Sequence, residues 1–97
     1  MIKIIAISAA GESRLELTFS DGSHGIWSAA ALIARDTSLT RPLADPAYFA
    51  RAFIESGALA WPNGLELSPH ALHLRLEEAG QLALRAARSD NPRPWDA

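Results

Sequence analysis

Apolar and polar positions alternate most regularly in Arg14-Leu15-Glu16-Leu17-Thr18-Phe19, with Leu15, Leu17 and Phe19 on one side and Arg14, Glu16 and Thr18 on the other. A period of two sends successive side chains to opposite faces of a strand, so this stretch predicts a β-strand with one face in a core. Ile2 to Ser8 is apolar in both phases and rich in branched side chains, which predicts a strand at the centre of a sheet. Gly11 marks the turn between the two. Asp21-Gly22 then reads as a two-residue hairpin loop of type I′, because that turn needs positive φ at both central residues, which Asp tolerates and Gly adopts freely. A third strand covers about His24 to Trp27.

Helix starts are written in the next segment. Ser28 is placed to cap a helix over Ala29–Arg35, its hydroxyl accepting from a first-turn N–H. Asp45 followed by Pro46 is an N-cap and a first helical residue, and predicts a turn or two of helix. Ala52–Glu55 and Ala58–Trp61 flank Ser56-Gly57 and read as a second hairpin, although Phe49 to Phe53 also suits a longer helix. In Trp61-Pro62-Asn63-Gly64, Pro62 pre-sets φ at the second turn position, Asn63 suits the third, and Gly64 takes the left-handed residue after it. Ser68 and Pro69 repeat the cap-and-proline signal, for a helix with Leu72, Leu76, Ala79 and Ala83 on one side. Gly80 either ends that helix or sits in a turn between strands, since Leu72–Leu76 and Leu82–Arg85 also alternate with period two.

These elements predict an α+β fold, a mainly antiparallel sheet of about four to six short strands with roughly two or three helices packed on it. Residues 1–80 read as one compact domain. Residues 81–97 read as a C-terminal extension, helical to about residue 88, and the proline-rich Ser89–Ala97 as a mobile tail with only Trp95 to pack.

Composition narrows the function classes. A chain of 97 residues fits one domain. Without cysteine it has no disulfide, thiolate metal site or thiol nucleophile, which suits the cytoplasm. Its apolar start lacks the flanks of a secretion signal, and no run approaches the roughly 20 residues of a spanning helix, so neither export nor a membrane is expected. A net charge of −2 supplies no basic field to neutralise phosphates and argues against nucleic acid, with Arg85, Arg88 and Arg93 near the C-terminus as the one local exception.

Candidate chemistry is sparse. On a helix of about 100° per residue, His70, His73 and Glu77 fall within about 60° of one another and form a possible metal-binding face. The spacing is not that of the zinc hydrolases, and the three residues lie opposite Leu72, Leu76 and Ala79, where a helix keeps its solvated side. No nucleophile elbow or phosphate loop is readable, and no cofactor is implied. Trp27, Trp61 and Trp95 are large anchors. In so small a domain tryptophans favour the core, but Trp61 and Trp95 remain candidates for docking a partner.

The order of these features, with Phe19, Asp21 and Gly22 matching F-x-D-G and Trp61, Asn63, Gly64, Glu66, Leu67 and Pro69 matching W-x-N-G-x-[DE]-L-x-P, resembles the bacterial family called domain of unknown function 2442. The resemblance covers about residues 2–79. It implies a compact α+β domain without established catalytic activity, often encoded beside another small protein in a pairing similar to a toxin with its antitoxin. Some relatives carry a helix-turn-helix domain after this one, and this chain stops before such a domain would fit. Asp21, Gly22, Asn63 and Gly64 carry over as turn positions, and Ser68 and Pro69 are a cap by their own chemistry. The expectation is a cytoplasmic, non-catalytic protein-interaction module, an antitoxin-like partner of a small companion protein or of a second copy of itself. The rival readings are a metal-binding protein or enzyme using His70, His73 and Glu77, and a DNA-binding regulator.

Overall fold

The computed structural model describes residues 1–84. A first antiparallel sheet joins β1 (Ile4–Ala9), β2 (Arg14–Phe19), β3 (Ser23–Ser28) and a late strand β7 (Ala83–Leu84), in the order β1-β2-β3-β7. A second joins β4 (Phe53–Glu55), β5 (Ala58–Ala60) and β6 (Glu66–Leu67). Between the sheets in sequence run α1 (Ala30–Arg35), a 3-10 turn (Arg41–Ala44) and α2 (Pro46–Phe49), and α3 (Pro69–Glu78) leads from β6 to β7. The class is α+β as expected, with the strands divided between two sheets rather than gathered in one.

Alternation decides β2. Leu15, Leu17 and Phe19 are 5%, 0% and 0% exposed, and each buried side chain of this size contributes roughly 1.5–3 kcal/mol. Against expectation, β1 lies at the edge of its sheet. A register shift between Ile4 and Ala6 turns Ile4 into the core and leaves Ile5 58% exposed, so the unbroken apolar run does not mean two buried faces. The Ile4 amide donates to the Gly57 carbonyl at 2.8 Å, which ties the edge of the first sheet to the hairpin of the second.

The first hairpin departs from the expected turn chemistry. After β2, Ser20 and Asp21 are the central residues, the Gly22 amide bonds the Phe19 carbonyl at 3.0 Å, and only Gly22 has positive φ, at 89°. This is a three-residue loop with a glycine bulge rather than a type I′ turn. The type I′ pattern occurs between β4 and β5, where Ser56 and Gly57 have φ of 51° and 87° and Glu55 pairs with Ala58. That hairpin is as the sequence predicts, and no longer helix continues from Phe49.

Side-chain caps fix α2 and α3 but not α1. That helix starts one residue later than expected, with Ala29 as its N-cap and no side-chain cap bond; Ser28, expected as the cap, lies one residue outside it and accepts from the Ala30 amide at 3.2 Å. Asp45 accepts from Ala47 at 3.1 Å and Ser68 from Ala71 at 3.3 Å, each with proline at the first helical position. Leu72 and Leu76, both 3% exposed, anchor α3 to the core. Ala79 does not share that face: it is exposed at the helix end, and Gly80 with φ of 70° turns the chain so that the Gln81 amide bonds the Leu76 carbonyl at 2.9 Å. Ala83 then pairs with His24 on β3, so residues 83–84 are strand and not a continuation of α3. The expectations for residues 85–97, including Trp95 and the arginines Arg85, Arg88 and Arg93, lie outside the described residues.

The core gathers Ile4, Leu17 and Phe19 of the first sheet with Leu43, Leu59 and the aromatic trio Trp27, Phe49 and Trp61. Trp61 is 1% exposed. Its ring centroid lies 6.3 Å from that of Trp27 and 5.8 Å from that of Phe49, and its indole N–H donates to the Phe49 carbonyl at 3.1 Å. It therefore belongs to the interior and is not available to dock a partner.

Candidate functional site

The face expected to carry metal ligands is divided. His73 does not point into water: its ring meets Phe19 edge-on at 5.0 Å and 81°, and Nε2 donates to the Asp21 carboxylate at 3.0 Å. The same carboxylate accepts from the Ser23 hydroxyl at 2.6 Å and the Ser23 amide at 2.9 Å. These bonds favour the ionised form: the Ser23 hydroxyl and amide hold the Asp21 carboxyl below its ordinary value, burial opposes them, and the bond and charge of His73 add smaller lowering effects. Asp21, expected only as a turn residue, thus fastens the β2–β3 loop to α3.

Glu77 is exposed and lines a shallow hollow with Asp21, His73 and Leu82, whereas His70 is exposed and takes no part in it. Among the described residues no group of three His, Asp or Glu side chains converges as metal ligands. The structure therefore brings His73 and Glu77 to one hollow and leaves His70 outside it.

Asn63 is likewise more than a turn former. Its side-chain oxygen accepts from the Leu65 amide at 3.1 Å, its side-chain nitrogen donates to the Leu39 carbonyl at 3.2 Å, and its amide donates to the Tyr48 hydroxyl at 3.0 Å. With the Gly64 amide bonded to the Trp61 carbonyl, this side chain joins the turn to the connection before α2.

Three further surfaces have distinct chemistry. On the solvent face of the first sheet, His24 Nδ1 stands 3.5 Å from Glu16 Oε2, and Nε2 is buried without a hydrogen-bond partner among the described residues. Beside the edge of β1 runs an apolar groove of about 330 Å³, lined by Ile7, Leu15, Pro46 and Phe49 with Glu12 and Ser13 at the β1–β2 turn. A smaller groove of about 230 Å³ separates α1 from α3. Sequence reading found neither groove, because each is formed by elements far apart in the chain.

The fold and these surfaces define a small α+β domain of two antiparallel sheets, with no helix among the described residues long and apolar enough to cross a membrane. The chain belongs to the DUF2442 family, described as a protein of unknown function, whose family model matches residues 4–77. No curated protein and no solved structure matches it.

Proposed function

We propose that this chain is a non-catalytic protein-interaction module, an antitoxin-like partner of a small companion protein, and that it takes an added strand on β1. The observation that carries this reading is the outer edge of β1 beyond its bulge. Ile4 to Ala9 holds no charge and no proline, two of the devices that blunt an edge strand, and the bulge at Ile4–Ala6 and the bond to Gly57 guard only its first residues. Beyond the single bond from Ile4 to Gly57, no described residue hydrogen-bonds the outer backbone edge of β1. Ile5 on that strand is 58% exposed, and Phe53 and Ile54 on β4, one of the two edge strands of the second sheet, are 40% and 36% exposed. An incoming strand finds backbone groups to pair with and, in the groove lined by Ile7 and Phe49, a recess for a side chain. The compartment is read as the cytoplasm, which a chain without cysteine suits.

The test is recovery of partners from lysate of the native host on tagged full-length chain, with and without nuclease, beside an Ile5→Lys variant. One small protein near equal amount, insensitive to nuclease and lost with Ile5→Lys, supports the reading. Recovery that ignores Ile5→Lys removes the edge from it, and recovery of nothing specific removes the antitoxin-like pairing on β1. The same edge is open to a second copy of the chain, and a monomer mass independent of concentration in light scattering counts against that occupant.

A further inference from the structure

The groove between α1 and α3 differs in chemistry from the edge of β1. Trp27 and Leu72, 7% and 3% exposed, form its apolar floor, and the half-buried Leu32 and Leu67 its sides. Arg35, in the last turn of α1, and Arg75, on α3, line it as exposed cations. Among the described residues no carboxylate lines the groove and neither guanidinium makes an ion pair, whereas Arg41 is committed to Asp36 at 2.8 Å. The two serines that border it, Ser28 and Ser68, already accept from the amides of Ala30 and Ala71, so each has a hydroxyl proton left to give.

Every polar side chain that the described residues place around the groove is thus a donor, in a chain whose net charge is −2. Such a site selects an anion with an apolar body. Its volume, about 230 Å³, falls below the roughly 300–1,000 Å³ of pockets that enclose a small-molecule ligand, and suits one or two side chains of a segment lying across the surface. Guanidinium groups bind carboxylates through paired N–H donors, which sets direction as well as strength.

We propose that this groove docks an acidic, amphipathic segment of a protein partner, with an aliphatic or aromatic side chain on Trp27 and Leu72 and carboxylates on Arg35 and Arg75. The inference rests on reading the chain as an interaction module, and it gives the partner a chemistry at a second surface, away from β1.

The probe is an acetylated, amidated hexapeptide in which Leu-Phe is flanked on each side by paired glutamates, titrated into the isotope-labelled full chain and followed by amide and indole NMR shifts. The expected result is saturable binding, with shifts confined to Trp27, Ala31–Arg35 and Leu67–Arg75. Arg35→Gln and Arg75→Gln should each weaken it about tenfold, the loss of one charge-assisted bond. Both side chains are exposed, so the variants keep the fold, and unchanged shifts elsewhere verify this. The lysine counterpart of the peptide should not bind. Absence of saturable binding, equal binding of the lysine peptide, or affinity indifferent to both substitutions overturns the proposal. Ile5→Lys leaves peptide binding unchanged. Failure here with a host partner still lost on Ile5→Lys therefore removes the groove alone, and peptide binding without any recovered partner removes the β1 reading alone.

Discussion

His73 on α3 donates from Nε2 to the Asp21 carboxylate at 3.0 Å across 52 positions of sequence, and so closes the helix onto the β2–β3 loop. The carboxylate is shared, since the Ser23 hydroxyl and amide reach the other oxygen. One side chain therefore shapes a hairpin loop and holds a helix against it.

A pH dependence follows with a definite sign. Asp21 is held below its ordinary value in the folded chain, so its contribution is complete above the unfolded aspartate value of about 3.9 and is lost as pH falls through the lower folded value. With 38% of the side chain exposed, solvent screens the charge and the contribution is modest. Asp21→Asn should cost about 1 kcal/mol at neutral pH through its weakened hydrogen bonds. In urea titrations the gap to the parent chain should narrow toward pH 3, and a gap of constant size would show that the ionised carboxylate is not the cause.

His70 and His73 should separate cleanly. His73→Ala removes both the bond to Asp21 and the edge contact with Phe19, for a loss of about 1–2 kcal/mol. His70 is exposed, and His70→Ala should stay within about 0.5 kcal/mol. Because the His73 nitrogen is already bonded to Asp21, excess zinc should leave the unfolding midpoint where it is. A midpoint that climbs with zinc concentration would restore the metal reading.

Local chemistry was legible in the sequence wherever one residue decides one turn of chain. Asp45-Pro46, Ser68-Pro69 and Pro62-Asn63-Gly64 act as their side chains dictate, and the phase of Leu15, Leu17 and Phe19 already names the buried face. What escaped is set by residues distant in the chain. Ile4 and Ile5 look alike in sequence, and only the bulge in β1 and the lack of a strand beyond it send one inward and the other to solvent. His73 has a helical period that predicts water on its side, yet the β2–β3 loop happens to occupy that space. The turn type at Asp21-Gly22 went astray for a similar reason: Asp21 accepts from the Ser23 amide and keeps an ordinary negative φ, and the paired positive φ values occur at Ser56 and Gly57 instead. The arginine-rimmed groove depends on α1 and α3 lying side by side, which no periodicity encodes.

Asn63 gives a third test. Asn63→Ala keeps the backbone amide bond to Tyr48 but removes the bonds to Leu65 and Leu39, for an expected loss of about 1–2 kcal/mol in denaturant unfolding. Tyr48→Phe removes only the hydroxyl and should cost less, about 1 kcal/mol. If Asn63→Ala proved the milder of the two, the side chain would not be what joins the turn to the connection before α2.

Gly25 tests how the first sheet acquires its fourth strand. A β-carbon at this position would stand 2.6 Å from the Gln81 carbonyl oxygen and 3.2 Å from a Leu76 methyl. Backbone cannot swing aside as a flexible side-chain end can, so Gly25→Ala must push residues 80–82 away from β3. That movement strains the Gln81–Leu76 bond closing α3 and the pairing of Ser23 and His24 with Leu84 and Ala83. The expected cost is about 2 kcal/mol, typical of forcing extra volume into a packed site. It should be local: hydrogen exchange should quicken at Gln81, Ala83 and Leu84 while the amides of β1 and β2 keep their protection. Uniform loss of protection would mean that β7 and the end of α3 are part of the same cooperative unit as the core, and unchanged exchange would mean that the chain at Gln81 does not press on Gly25 in solution.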